Sequence, residues 1–236
     1  METRCTEVAE GIHQLTTRPH GSLMAFNQYL VEGDEPLLFH TGLRKMFPAV
    51  SEAVARILPP ETVRWISFGH VEGDECGSMN EWLEIAPQAT IAHSVIGCST
   101  SLDDIAYRPP RRLADGDSIA IGGHVLRWID TPHVPHSMDA GVMYDETTKT
   151  LFCGDLFTRW GDYEPTGDDL LGPAMEAEDR YCIYSLHPTT GATIRRLAEL
   201  DITTLAPMHA PAFSGDCRQA LLDLASDLDR RVAAVS

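Results

Sequence analysis

The stretch F-G-H-V-E-G-D-E-C-G at residues 68–77 constrains this chain more than any other part of its sequence. It follows an apolar run at residues 63–68 that is typical of a buried strand. His70, Glu72 and Asp74 then come at alternate positions, and Glu75 stands next to Asp74. Side chains can converge on one point where the backbone leaves a sheet. The stretch therefore predicts a metal site that is rich in carboxylate and poor in imidazole.

Charge and composition limit the class of partner. The 236 residues include 18 lysines and arginines against 35 aspartates and glutamates, which gives a formal net charge of −17 at pH 7. A nucleic acid or an anionic membrane would require a basic patch, so we expect neither as a partner. The first eleven residues lack the apolar core of a signal peptide, and the six cysteines form no C-x-x-C pair. These features predict a soluble cytoplasmic protein with reduced thiols.

Periodicity and turn residues predict one α/β domain over residues 1–236, because strands and helices alternate without a linker or a repeat. Strands are predicted at residues 12–16, 24–30, 36–40, 63–68, 90–94, 141–144, 150–153 and 202–206, with further hairpin strands within 112–131. Helices are predicted at residues 47–58, 78–86, 173–186, 190–200 and 217–232, and a polar insertion at 161–172.

Four loops carry histidine or acidic side chains directly after a predicted strand. Three of these loops are flanked by glycine or proline, which can turn the backbone toward a common centre. The joint pattern favours a metal site far more than any single histidine would. The candidate residues of the four loops are His70, Glu72, Asp74 and Glu75, then His133 and His136, then Asp155, and then His209.

These motifs resemble those of the metallo-β-lactamase superfamily over nearly the whole chain. Its first motif, H-x-H-x-D-H, corresponds to H-V-E-G-D-E at residues 70–75, and its second, T-P-G-H-T-P-G-S, to T-P-H-V-P-H-S at 131–137. Glu72, in place of the second histidine, is similar to the branch of flavodiiron proteins and stand-alone oxygen-binding diiron proteins. H-V-P-H-S-M at 133–138 and A-P-M-H-A-P at 206–211 resemble that branch's H-W-P-D-S-M and A-P-S-H-G-P.

The resemblance implies an αββα sandwich of the metallo-β-lactamase type, with two mixed sheets and helices on the outer faces. It implies that one iron is held by His70, Glu72 and His133. It also implies that Asp74 and His209 hold a second iron and that Asp155 bridges the two.

Two candidate catalytic residues depart from the family pattern. Glu75 stands where the family usually has histidine, and it could bind the second iron directly or through water. His136 stands where the family has aspartate, and either metal ligation or a hydrogen bond to substrate stays open. His40 stands where superfamily members commonly have an aspartate that supports the metal loops by hydrogen bonds.

The donor set favours oxygen chemistry over hydrolysis. Glu72, Asp74 and Asp155 supply three negative charges, which nearly balance two divalent cations and weaken the site as a Lewis acid. Hard anionic oxygens favour iron or manganese and stabilise the higher oxidation state, whereas metal affinity alone does not exclude zinc. The chain is therefore expected to hold two iron ions, with zinc and manganese as alternatives, and to bind or reduce O₂, with NO as a further candidate substrate.

Other functions and partners stay open at this point. The family's flavin sits in a flavodoxin domain, and 236 residues leave no room for one after the metal domain. We therefore expect electrons from an external donor, flavodoxin-like or rubredoxin-like, and a homodimer is compatible with the resemblance. The alternatives are a metal-dependent hydrolase of the same fold, acting on an ester, thioester or lactone, and a diiron sensor of oxygen or redox state.

Overall fold

Two β-sheets form the centre of the protein. The structure is a computed structural model that describes residues 1–164, 166–167 and 169–235. The first sheet has the strand order β1-β2-β3-β4-β5-β6-β7, and the second has the order β12-β11-β10-β9-β8. The strands are β1 (Thr3–Ala9), β2 (Ile12–Thr17), β3 (Phe26–Val31), β4 (Leu37–Phe39), β5 (Trp65–Ser67), β6 (Thr90–Ser94), β7 (Arg111–Leu113), β8 (Ser118–Ala120), β9 (Val125–Asp130), β10 (Gly141–Asp145), β11 (Thr150–Phe152) and β12 (Thr204–Ala206).

Both sheets are mixed. The first four strands of the first sheet pair antiparallel, and β4 to β7 pair parallel. In the second sheet β8 to β11 pair antiparallel, whereas β11 and β12 are parallel. The parallel pairs bring several strand ends to the same edge of each sheet.

The helices lie between and after the strands. Short 3₁₀ turns at Arg44–Met46 and Pro60–Thr62 and a π-helical turn at Cys98–Leu102 supplement them. The α-helices are α1 (Phe47–Val54), α2 (Gly73–Cys76), α3 (Met79–Ile85), α4 (Val95–Gly97), α5 (Asp103–Ile105), α6 (Leu171–Tyr181), α7 (Thr190–Leu197) and α8 (Cys217–Val235).

Alternation of apolar residues along the strands builds three layers of core. In β4, Leu38 packs with α1 and α3 on the outer face, while Leu37 and Phe39 face the second sheet. In β11, Leu151 packs outward with α7 and α8, while Phe152 faces the first sheet. Because successive strand residues point to opposite faces, strands buried on both faces produce helix–sheet, sheet–sheet and sheet–helix layers. The predicted αββα sandwich is confirmed.

Most predicted elements occur, with small shifts at their ends. The antiparallel start of the first sheet and the hairpin of β10 and β11 are as predicted. The sequence prediction omitted β1 and extended the helix at α1 beyond Val54. It assigned no helix to the loop after β5, where residues 73–76 form the helical turn α2. Part of the predicted insertion at residues 161–172 lies outside the described residues.

Among the helices of the described residues, none is both long enough and apolar enough to cross a membrane.

Candidate metal centre

Four strand ends deliver the candidate ligands to one point between the sheets. His70 and Glu72 follow β5, and the turn α2 carries Asp74. The loop between β9 and β10 carries His136. Asp155 follows β11, and His209 follows β12. The first sheet thus supplies one side of the cluster, and the second sheet supplies the other.

One group of ligand atoms surrounds the first candidate cation position. His70, Glu72, His136 and Asp155 each offer one atom, and these atoms all lie within 4.8 Å of one another. Nε2 of His70 is 2.7 Å from Oε2 of Glu72 and 3.1 Å from Nε2 of His136. Oδ2 of Asp155 is 3.4 Å from Nε2 of His136. Ligands bound to one ion at about 2.1 Å and about 90–109° lie about 3.0–3.4 Å apart, a range that contains the His70–His136 and His136–Asp155 distances, whereas Glu72 lies closer to His70 and Asp155 lies 3.9 Å from His70.

A second group lies on the other side of Asp155. Nε2 of His209 is 3.3 Å from Oδ1 of Asp155 and 3.3 Å from Oδ2 of Asp74. Oδ1 of Asp155 is buried and has no hydrogen-bond partner among the residues that the structure describes. A buried carboxylate oxygen requires such a partner or a cation. The two oxygens of Asp155 therefore face two ligand groups, and the donor set fits a dinuclear metal site.

The ring nitrogens that face away from the centre have partners of their own. Nδ1 of His136 donates to the carbonyl of Ile183 at 2.9 Å, and Nδ1 of His209 donates to the carbonyl of Ala25 at 2.9 Å. Because carbonyl oxygens only accept, both rings carry a proton on Nδ1, and Nε2 is the ring nitrogen that faces the centre. This arrangement is typical of metal-binding histidines, whose outer nitrogen is fixed by an acceptor.

Glu75 lies behind His70, on the side of the ring opposite Glu72. It is fully buried, and its Oε1 lies 3.1 Å from Nδ1 of His70 while its Oε2 accepts the backbone N–H of His70 at 2.8 Å. A side chain at Gly69 would place its Cβ 3.0 Å from both carboxylate oxygens, so only glycine leaves room there. Oε2 of Glu75 also lies 3.6 Å from Nε2 of His40. Glu75 thus lies on the Nδ1 side of His70 and is not a member of the ligand group around His70 and His136.

His40 is buried beneath the centre. Its Nδ1 donates to the carbonyl of Asn27 at 3.2 Å, and its Nε2 faces Glu75. His40 therefore lies next to Glu75 without a hydrogen bond to it, and its supporting role stays a prediction.

His133 lies apart from the cluster. Its side chain is exposed, its backbone has a φ of +64°, and its ring centroid is 6.5 Å from that of His187. Within the described part of the chain, the ligand group contains His136 from this loop and not His133. Of the two histidines of the loop, the structure thus brings only His136 to the centre. The ligand role of His133 stays a prediction that its placement does not support.

Sequence reasoning missed the residues that hold the ligands in place. Asp139 and the carbonyls of Ala25 and Ile183 each contact a ligand residue or its loop. The two carbonyls belong to segments distant in sequence, so no local pattern could have indicated them. Asp139 had a weak signal, because it is an acidic residue three positions after His136.

The carboxylates shift the pKa values of the histidines strongly. Burial alone would lower the pKa of His70, but the charge of Glu75 and the hydrogen bond to Glu72 raise it to about 12. Burial also opposes protonation of His209, yet the contact with Asp155 contributes to raising its pKa to about 10. Without a cation, protons on these imidazoles therefore balance the negative charge of the cluster.

The carboxylates respond in the opposite direction. Burial would raise the pKa of Asp155, but the contact with His209 and the charges of the neighbouring imidazoles lower it to about 2. Hydrogen bonds from His136 and His70 hold the pKa of Glu72 well below its usual range. Both carboxylates are therefore ionised at neutral pH and available to a metal ion.

Comparison with known proteins gives the family. The model of the family described as ODP family beta lactamase matches residues 24–210. The chain belongs to this family, and the predicted resemblance to the metallo-β-lactamase superfamily and its flavodiiron branch is confirmed.

Several sequence relatives carry the name of a flavoprotein. Diflavin flavoprotein A 1 of Nostoc sp. (strain PCC 7120) is 27% identical over 193 residues, which cover 79% of this chain and 33% of the relative. Type A flavoprotein fprA of Rhodobacter capsulatus is 27% identical over 223 residues, covering 89% of this chain and 50% of the relative. The chain thus spans 33% of the length of that diflavin relative.

Solved structures share the fold. A fragment of diflavin flavoprotein A 5 from Nostoc sp. PCC 7120, residues 1–254, superposes with a TM-score of 0.86 at 17% identity, covering 99% of this chain and 97% of the fragment. Rubredoxin oxygen:oxidoreductase from Desulfovibrio gigas superposes with a TM-score of 0.79 at 17% identity, covering 94% of this chain and 62% of that protein.

We predict that metal stabilises the protein more at higher pH. Protons on His70 and His209 stabilise the metal-free fold below about pH 6.5, and this contribution is lost as pH rises through about 10, the pKa of His209. The ionised carboxylate of Asp155 stabilises the metal-free fold above about pH 4. This stabilisation is lost as pH falls through about 2, the pKa of Asp155. A cation displaces the imidazole protons, so its binding strengthens as pH rises.

The measurement is the thermal unfolding midpoint with a chelator and with saturating Co²⁺, taken from about pH 6 to about pH 9. The gap between the two midpoints should widen with pH. An unchanged gap across this range would show that the imidazoles do not exchange protons for metal.

We predict that His136 and not His133 binds metal. His136→Ala should weaken metal binding at one site by more than about 100-fold. Loss of a residue that only supports a ligand costs up to about 100-fold, and loss of a ligand should cost more. His133→Ala, the matched control from the same loop, should change metal affinity by less than about two-fold because its side chain is exposed. Calorimetric titration with Co²⁺ measures both. A loss confined to His133→Ala would restore the ligand set that the family motif implies.

Proposed function

We propose that the protein is a non-haem diiron protein that binds or reduces O₂ at the carboxylate-rich centre. The observation that carries this proposal is the position of Asp155, whose two oxygens face two separate ligand groups. A carboxylate in this position would contribute one oxygen to each of two cation sites. Membership of the ODP family and the diflavin and type A flavoprotein relatives support a redox role.

The charge of the cluster supports iron. Glu72, Asp74 and Asp155 contribute three negative charges, and buried Glu75 behind His70 adds a fourth. Four carboxylates balance the charge of two divalent cations, and they favour the higher oxidation state of a redox metal. A pair of iron ions supplies electrons to O₂ when it is reduced. An imidazole-rich zinc site would instead favour hydrolysis by bound hydroxide.

One side of the centre is open to solvent, so a small molecule such as O₂ or NO can reach it. The side chain of Glu72 is 55% exposed and that of His136 is 30% exposed, whereas Asp155 is 8% exposed. A molecule from solvent therefore meets Glu72 and His136 first. The hydrogen bond from Nδ1 to the carbonyl of Ile183 fixes the ring orientation of His136.

We propose that the electron donor is a protein group outside residues 1–236. The relatives whose names record a flavin extend well beyond the region that this chain matches, since 33% of the diflavin relative is covered. We propose that a separate redox protein carrying a flavin or iron delivers electrons to the centre. The single domain over residues 1–236 would then bind O₂ and receive electrons, and its cellular location would be the cytoplasm.

The test is anaerobic loading with Fe²⁺ followed by exposure to O₂. We expect about two iron ions per chain and an absorption band in the near ultraviolet or visible range that appears with O₂. Glu72→His should slow the O₂ reaction by at least about ten-fold and shift the metal preference toward zinc, because it removes one charged oxygen ligand. Glu52→Gln, which removes a charge on an exposed helix residue, is the matched control.

Two outcomes would contradict the proposal. Stoichiometric zinc with rapid ester hydrolysis would identify a hydrolase of this fold. An iron-loaded protein that shows no reaction with O₂ or NO would exclude the proposed activity.

A further inference from the structure

Asp139 connects the two loops that carry the first ligand group. Its Oδ2 accepts the backbone N–H of Val71 at 2.9 Å, and its Oδ1 accepts the hydroxyl of Ser137. Val71 stands between His70 and Glu72, and Ser137 follows His136. One carboxylate therefore bonds to the backbone between two ligands and to the residue beside a third.

The position of Asp139 is itself fixed. The residue is 7% exposed, and its carbonyl accepts the hydroxyl of Ser94 at 3.1 Å. Oγ of Ser94 also accepts the N–H of Gly97 at 3.0 Å, at the start of the helical segment after β6. A Cβ on Gly97 would lie 3.1 Å from Oδ2 of Asp139, so the backbone packs closely against this carboxylate. The end of β6 thus anchors Asp139.

We propose that Asp139 is a positioning residue that sets the spacing of His70, Glu72 and His136. It touches none of the candidate cation positions, because its two oxygens are engaged by Val71 and Ser137. Its removal would free the N–H of Val71 and let the His70–Glu72 loop move relative to His136. The inference rests on the proposed metal centre, although it does not depend on the reaction with O₂.

The chemistry of the contacts separates positioning from electrostatics. The contacts of Asp139 with Val71 and Ser137 are hydrogen bonds. They require polar atoms at the right positions, and neither requires a full negative charge. In Asp139→Asn, the amide oxygen still accepts the N–H of Val71, and the amide nitrogen can donate to the oxygen of Ser137. A positioning role therefore predicts rescue by asparagine, whereas a role through charge predicts loss in both variants.

The experiment is calorimetric titration of Co²⁺ alone into the full chain, with the visible band of bound Co²⁺ as a second readout. Asp139→Ala should weaken one of the two sites by about 10–100-fold and alter its band, and Asp139→Asn should stay within about three-fold of the parent. The second site, with Asp74 and His209, should keep its affinity in both variants.

Asp145 provides a matched control outside the centre. It is fully buried and accepts the N–H groups of Thr147 and Thr148 at 3.1 Å and 3.2 Å, and it pairs with His124. Asp145→Ala should lower the thermal unfolding midpoint and leave both Co²⁺ affinities unchanged. Equal losses of Co²⁺ affinity in Asp145→Ala and Asp139→Ala would overturn the inference, as would parent-like binding in Asp139→Ala.

Ser137→Ala keeps the proposal testable if Asp139→Ala does not fold. It removes one of the two contacts and should weaken the same site by about two- to five-fold at an unchanged unfolding midpoint. No change in Co²⁺ binding would then count against the inference. If the parent binds two Co²⁺ but its iron form does not react with O₂, the proposed function fails, and the Co²⁺ comparison still decides the role of Asp139.

Discussion

The position of one buried carboxylate determines the arrangement of the candidate centre. Asp155 lies at the end of β11, and its oxygens contact His136 on one side and His209 on the other. A carboxylate buried between two sheets is unfavourable unless positive charge compensates it. Contact with Asp155 raises the pKa of His209 against the effect of burial, and two cations would balance the carboxylate charge more completely.

The sandwich fold is what makes this arrangement possible. His70 and Glu72 come from the first sheet, while Asp155 and His209 come from neighbouring parallel strands of the second. The ligands therefore meet only when both sheets pack through their shared core of residues such as Phe39 and Phe152.

Much of the fold could be predicted from sequence because the strands carry clear signals. Most strands could be predicted from apolar runs that turn residues bound. The motifs at four strand ends indicated the family. β1 was missed because it is an edge strand with mostly polar and partly exposed residues, so no apolar pattern marks it.

The details of the centre were harder to predict, since loop geometry has no period. Adjacent acids at Asp74 and Glu75 could both have faced the metals. The helical turn α2 rotates each residue by about 100° from the last, and it thus directs Asp74 toward His209 and Glu75 behind His70. In the loop after β9, a left-handed backbone at His133 turns that side chain outward and leaves His136 to face Glu72.

The most direct measurement of the central claim is a crystal structure of the iron-loaded protein with anomalous scattering at the iron edge. We expect two iron peaks about 3.5–4 Å apart, and one oxygen of Asp155 should lie next to each peak. His136 and Glu72 would bind the first iron, and Asp74 and His209 the second. A single peak, or two peaks that do not share Asp155, would contradict it.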